Sequence, residues 1–259
     1  MILKTPEERA AIIEGGRRLG AVLEELAKAT VVGVSTLELD QLSEKLIRDG
    51  GDVPAFKGYT PEGVSYPYPA TLCISVNDEV VHGIPKEDVR LREGDIVSLD
   101  LGLIHEGLIL DSALTVAVGK TDKQSYELMD ATQQSLEAAI KAARPGRRIG
   151  DISYATERAF NGTGFSVVKI LGGHGVGRHV HEEPFIPNAG HPGTGPEIVS
   201  GMVLALEPIA NAGKASVQLM PDDYTFRTRD GSRSAHFEHT IIVEDDATLV
   251  VTRRPSELS

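Results

Sequence analysis

The sequence predicts an α+β fold in a single domain, residues 1–259, built as two similar halves at about 1–120 and 121–259. Three observations predict it. Two amphipathic helical segments precede a series of short apolar strands. The same plan restarts near the middle of the chain. No low-complexity linker separates the halves, so helices and strands are expected to share one core.

The first helix is announced by Thr5-Pro6-Glu7-Glu8: a Thr cap, Pro at the first helical position and Glu at the third. Ile12, Ile13, Leu19, Val22, Leu23 and Leu26 follow at helical spacing. A second helix opens at Ser35, with Glu38 three residues on, runs through Leu39, Leu42 and Leu46, and stops at Gly50-Gly51. In the second half, Lys141-Ala142, Gly146, Asp151-Ile152 and Gly164 repeat Lys28-Ala29, Gly33, Glu38-Leu39 and Gly51, each at an offset of 113 residues. The pattern predicts an internal duplication. Strands are expected at Ile96–Leu99, Leu108–Leu110, Met202–Leu206, Ser216–Leu219, Tyr224–Arg227 and Ala235–Val243, with a turn at Pro221-Asp222-Asp223.

Composition narrows the function. With 41% hydrophobic and 25% charged residues the chain is of ordinary globular type. A net charge of −12 argues against general nucleic-acid binding. The short basic groups Arg17-Arg18 and Arg144, Arg147, Arg148 read as solvated surface. No apolar run reaches the roughly 18 residues of a membrane span. The start MILKTPEERAAII lacks an apolar signal-peptide core, and Cys73 has no second cysteine to pair with. A cytoplasmic protein is expected.

Four acids stand inside apolar strands: Asp100 in SLDLGL, Asp111 in LILDSA, Glu207 in LALEPI and Glu238 in HFEHTII. A hairpin centred between His105 and Glu106 would set Asp100 opposite Asp111, with Cβ atoms about 5 Å apart. Glu207 and Glu238 are similarly placed about the Pro221-Asp222-Asp223 turn. Ionised carboxylates in such surroundings are costly and repel one another. Pairing with buried arginines is the bland solution. Two dications matching four carboxylates is the sharper one, with His174, in Gly172-Gly173-His174-Gly175, as a fifth ligand. Carboxylates with one imidazole suit Mn, Fe, Co or Zn. His181 follows, in His181-Glu182-Glu183-Pro184. No nucleotide loop, HExxH or GxSxG motif is present.

These motifs, with Asn77-Asp78-Glu79-Val80-Val81-His82-Gly83-Ile84-Pro85, Leu206-Glu207-Pro208 and Phe237-Glu238-His239-Thr240, resemble those of type I, bacterial-type methionine aminopeptidases of the pita-bread fold. The resemblance runs from the first helix to Val243. It implies two pseudo-symmetric halves with antiparallel sheet and outer helices. It implies two divalent metal ions (Co, Mn, Fe or Zn) held by Asp100, Asp111, His174, Glu207 and Glu238. Asp111 and Glu238 would bridge, Asp100 would serve one ion, and His174 and Glu207 the other. The implied reaction is hydrolysis of the first peptide bond of new polypeptides, with Glu207 as proton shuttle, His181 at the oxyanion and His82 at the substrate backbone. The implied methionine pocket holds Tyr68, Cys73 and Tyr224. Tyr224 and Val180 stand where relatives often carry Trp and Phe, and the segment Gly58–Tyr66 is longer than usual. The pocket should therefore be roomier unless Tyr224 or that segment fills it. The expected partners are nascent N-termini, with ribosome contact limited to a transient one, and the expected state is a monomer. The competing readings are a proline-specific peptidase on the same scaffold, disfavoured because the catalytic fold begins at residue 1, and a metal-free binding module, disfavoured because all five ligands are kept.

Overall fold

The computed structural model describes residues 1–61 and 63–258; Glu62, inside the long segment just named, and Ser259 lie outside the described residues. Four helices form: α1 (Pro6–Ala29), α2 (Thr36–Asp49), α3 (Lys123–Ala142) and α4 (Ile149–Ala159). Thr5 caps α1, its hydroxyl accepting from the Glu8 amide at 3.2 Å. At α2 the Ser35 hydroxyl accepts from the Glu38 amide and the Glu38 carboxylate from the Ser35 amide, at 3.1 and 2.7 Å. The offset positions in the second half behave alike. The Arg148 amide donates to Asp151 at 2.8 Å, as Ser35 does to Glu38. Gly33 donates to Leu91 as Gly146 does to Ile198. Gly33, Gly146, Gly51 and Gly164 all have positive φ.

The first-half strands are β1 (Val53–Pro54), β2 (Leu72–Val76), β3 (Glu79–Val81), β4 (Ile96–His105) and β5 (Leu108–Ala117). The second half adds β6 (Ser166–Val167), β7 (Gly172–Gly175), β8 (Glu182–Pro187), β9 (Val203–Leu206), β10 (Ile209–Asn211), β11 (Val217–Leu219), β12 (Phe226–Thr228), β13 (Ser234–His236), β14 (Glu238–Val243) and β15 (Thr248–Val250). Nine of them form one antiparallel sheet in the order β1-β4-β5-β14-β9-β7-β8, with β2 also on β4 and β15 also on β14. The two halves meet where β5 pairs β14. Helix α1 packs on β4 and β5, and α3 packs on α4 and on strands of the second half. Leu19, Leu23 and Leu26 of α1, with Leu99, Leu101 and Leu110 of the sheet, lie in the buried core. That core fixes the register of the strands that carry the acids.

One register expectation is corrected. The β4–β5 hairpin turns through Glu106-Gly107, so Gly102 faces Asp111 and Asp100 faces Ala113. Both turn residues have positive φ, as a two-residue hairpin of this hand requires, and Gly107 meets that need without a Cβ clash. The acids are therefore diagonal neighbours rather than direct partners. They still share a face, because Ala113 stands two residues from Asp111. The second hairpin follows expectation: the pairs Val203–Ile242, Leu206–His239, Ile209–His236 and Val217–Thr228 all centre on one point between Asp222 and Asp223. Carrying that register one step past Leu206–His239 sets Glu207 opposite Glu238. Element ends differ: the strands expected at Ile96–Leu99 and Leu108–Leu110 run on to His105 and Ala117, the strand expected at Tyr224–Arg227 is Phe226–Thr228, and Ala235–Val243 breaks at Phe237.

Candidate metal centre

Sheet pairing alone brings the acids together. Cys73 faces Asp100, Asp100 faces Ala113, and Ala113 faces Glu238, so these side chains share one face. Asp111, two residues before Ala113, joins them. His174 faces Ala205, two residues before Glu207. All five predicted ligands thus lie on one face of one sheet, astride the seam between halves. Ala113, fully buried at the centre of the row, fills no space beyond a methyl group.

Several contacts hold the ligands from behind. The Thr240 hydroxyl accepts from the Asp111 amide at 3.1 Å and donates to the Asp111 carbonyl at 2.7 Å. The Ser112 hydroxyl donates to the Glu238 carbonyl at 2.7 Å, and the Asn188 side-chain amide to the Glu207 carbonyl at 3.0 Å. The glycines beside His174 serve close strand approach. A Cβ on Gly173 would stand 2.2 Å from the Ala205 carbonyl oxygen, and one on Gly175 2.4 Å from that of Glu183.

The donor set fits cations. His174 Nδ1 lies 2.9 Å from the Gly175 carbonyl, which can only accept, so Nδ1 carries the proton and Nε2 a lone pair. That nitrogen faces Glu207 Oε1 at 3.6 Å. A cation between them, or a proton on Glu207, would reconcile two such acceptors. Ligand atoms of Asp111, His174 and Glu238 all lie within 4.8 Å of one another. Asp100 Oδ1, Asp111 Oδ1 and Glu238 Oε1 are buried with no hydrogen-bond partner among the described residues. No lysine or arginine lines the pocket they share, so a buried arginine does not neutralise them. Burial pushes the Asp100 carboxyl up to about 7 and those of Asp111, Glu207 and Glu238 well above the usual range. Burial also pushes His174 down to about 3, keeping it neutral as a ligand must be.

The same pocket is lined by His82, His181, Tyr68, Cys73, Tyr224 and Val180, so every site residue expected from the sequence faces it. His82 has φ 59, a strained value for a non-glycine, and burial pushes its imidazole down to about 4. His181 stacks edge-on to His174 with ring centroids 4.5 Å apart. The turn before it is closed by Glu182, whose Oε1 accepts from the amides of Arg178 and His179 at 2.6 and 2.9 Å. Tyr68 donates to the Gly83 carbonyl at 2.8 Å, which satisfies its buried hydroxyl. Tyr224 packs edge-on against both Tyr66 and Tyr68, at 5.2 and 5.1 Å, and donates to the Tyr66 carbonyl at 2.5 Å. Tyr59 and Pro61 of the long segment line the same pocket as Val180.

Sequence reasoning missed Phe56, Tyr59 and Pro61, which come from a loop without periodicity. It also missed His236, whose Nε2 lies 3.5 Å from Glu207 and 3.8 Å from Glu238. Its position two residues before Glu238, on the same strand face, was the available signal.

Such a fold and such a carboxylate–imidazole cluster define a metallopeptidase. The profile of metallopeptidase family M24 matches residues 10–245, and the chain belongs to that family. Within the family it is similar over its length to bacterial methionine aminopeptidases. Methionine aminopeptidase 1 of Bacillus subtilis is 42% identical over 98% of this chain and 99% of that protein. The Escherichia coli methionine aminopeptidase is 36% identical over 98% and 95%. The crystal structure of a methionine aminopeptidase from Thermotoga maritima superposes with a TM-score of 0.93 at 41% identity, covering 98% of this chain and all of that one. A prolidase from Pyrococcus horikoshii, at 19% identity and TM-score 0.76 over all of this chain and 65% of that one, shares the pita-bread fold alone.

Proposed function

We propose that this chain hydrolyses the first peptide bond of new polypeptides, releasing an N-terminal methionine that precedes a small residue. The observation that carries the reading is a single pocket that joins the cation-fitting cluster to an apolar recess of Tyr68, Cys73, Val180 and Tyr224. A thioether side chain suits such a recess, whose only thiol is held protonated by burial.

Two divalent ions, from among Co, Mn, Fe and Zn, are the proposed cofactors. Asp100, Asp111, His174, Glu207 and Glu238 would hold them. The unpartnered carboxylate oxygens and the His174 lone pair support that assignment. When bound, such a pair supplies Lewis acidity to the scissile carbonyl and makes water a nucleophile near neutral pH.

The chain's own residues do the rest. Glu207, with an affinity for protons raised by burial, takes a proton from the attacking water and passes it to the leaving amine. His181 donates to the oxygen that gains charge in the transition state. His82, neutral at physiological pH, hydrogen-bonds the substrate backbone near the scissile nitrogen. The pocket wall places the methionine side chain and so sets the carbonyl in register with these groups.

Within this reading the halves 1–120 and 121–259 are copies of one plan forming a single catalytic domain, supported by their matched caps and positive-φ glycines. No helix among the described residues is long and apolar enough to cross a membrane. A cytoplasmic monomer meeting nascent chains, with at most transient ribosome contact, completes the proposal.

The test is release of methionine from Met-Ala-Ser and Met-Lys-Ser under defined Mn, Fe, Co and Zn. Fast release from the first peptide alone supports the reading. Faster release of Xaa from Xaa-Pro peptides than of Met from Met-Ala-Ser overturns it.

A further inference from the structure

We infer that Tyr59 is a positioning residue that fixes the tautomer of His181 and links it to the methionine pocket. This deepens the proposed function and rests on its assignment of His181 to the oxyanion. The Tyr59 hydroxyl lies 3.0 Å from His181 Nδ1, and the two rings are 5.5 Å apart. Either atom could donate in isolation. Burial raises the proton affinity of the Tyr59 phenol, so it keeps its proton. That proton has no other acceptor among the hydrogen bonds of the described residues. Donating it to Nδ1 satisfies both groups. The imidazole hydrogen is then on Nε2, the nitrogen left to donate to a developing oxyanion. In the opposite tautomer Nδ1 would donate to the Tyr59 oxygen, the phenol proton would turn to solvent, and Nε2 would face the developing oxyanion as an acceptor, which would repel it.

The backbone around Tyr59 ties this switch to substrate. Its amide donates to the Phe56 carbonyl at 2.9 Å and its carbonyl accepts from the Tyr68 amide at 2.8 Å, while Gly58 donates to the Tyr68 carbonyl at 2.9 Å. Tyr68 and Tyr59 therefore move as one frame, and both face the pocket that receives the substrate side chain. A side chain seated against this frame holds the Tyr59 hydroxyl on Nδ1.

The test is Tyr59→Phe in the full chain, read two ways. Turnover of Met-Ala-Ser should show kcat lowered about ten-fold with KM within about two-fold, as expected for one transition-state hydrogen bond weakened through its partner. Nitrogen-15 NMR of the histidines in chelator, with His181 assigned by its loss in His181→Ala, should show a single Nε2–H form in the parent and a tautomer mixture in Tyr59→Phe. The NMR reading needs neither metal nor turnover. An unchanged His181 tautomer in Tyr59→Phe overturns the inference, as does unchanged kcat. Retained turnover in His181→Ala would instead sink the oxyanion assignment beneath it, whatever Tyr59→Phe does. Loss of turnover in His181→Ala with Tyr59→Phe unaffected sinks only the role of Tyr59.

Discussion

Gly173→Ala should weaken the metal centre without touching a ligand. The new Cβ would stand 2.2 Å from the Ala205 carbonyl oxygen, whereas ordinary contact begins near 3.4 Å. Strands β7 and β9 must therefore separate by about 1 Å, since neither side of the clash is a flexible side chain. Overpacking on this scale costs about 1–3 kcal/mol, which lowers the melting temperature of a chain this size by about 2–12 °C. His174 is the next residue and moves with the strand. Metal–ligand distances tolerate only about 0.2 Å, so affinity should fall about ten-fold or more. Competition against a chelating indicator measures that loss, and a melting curve shows the fold surviving. Gly231→Ala is the control: φ is 72 with nothing within 4 Å of the added Cβ, so it should destabilise by about 1 kcal/mol and leave metal affinity intact. Parent-like affinity in Gly173→Ala, or an equal loss in Gly231→Ala, would refute the argument that close strand approach aims His174.

Complete chelation should abolish methionine release and lower the melting temperature; retained turnover in metal-free protein, checked by elemental analysis, would end the metal assignment. In the metal-free protein, Asp100→Asn should raise the melting temperature more at pH 7 than at pH 4. Burial raises the folded Asp100 carboxyl from 3.8 to about 7, so its stabilisation is full below about pH 4 and gone above about pH 7. An equal effect at both pH values would count against it. His181→Ala should cut kcat by about 10²–10³ with metal affinity retained, whereas His174→Ala should lose metal; identical behaviour of the two on both readouts would contradict their division of labour. A peptide panel should show Met favoured over charged residues at the first position, and Ala, Gly or Ser favoured over Lys, Leu or Phe at the second. Indifference at the second position would contradict a cramped site beside His82.

The acids were legible because charge inside an apolar strand is costly, and a sequence shows that cost directly: SLDLGL and LILDSA carry no cationic neighbour to offset it. The long hairpin was legible because its turn, Pro221-Asp222-Asp223, has strong local chemistry. The shorter hairpin was placed one residue early because Glu at a positive-φ turn position is unusual, so Glu106-Gly107 did not look like a turn pair. The mistake cost little, since moving the centre of a hairpin by one residue shifts partners by two and preserves the face. His236 and Tyr59 were harder. The first is polar on a face already assigned to acids. The second reaches His181 across 122 positions of chain, a distance no local pattern reports.

The position of the site follows from where each half runs out of partners. One hairpin, β4–β5, carries Asp100 and Asp111; the other, from β9 to β14, carries Glu207 and Glu238. Each is a pair of buried carboxylates that cannot both ionise unaided. Joining β5 to β14 brings the pairs together on one face, which worsens the repulsion while creating enough donors for cations. Ala113, opposite both Asp100 and Glu238, leaves the room that a larger side chain would occupy. The contact between the halves is therefore unfavourable in its polar part without cations and favourable with them. The sheet supplies the apolar remainder through Leu204, Leu206, Ile241 and Leu114 beside it. Packing can hold the seam closed without cations, which would then meet a site already shaped, where both halves present charge to the same cavity.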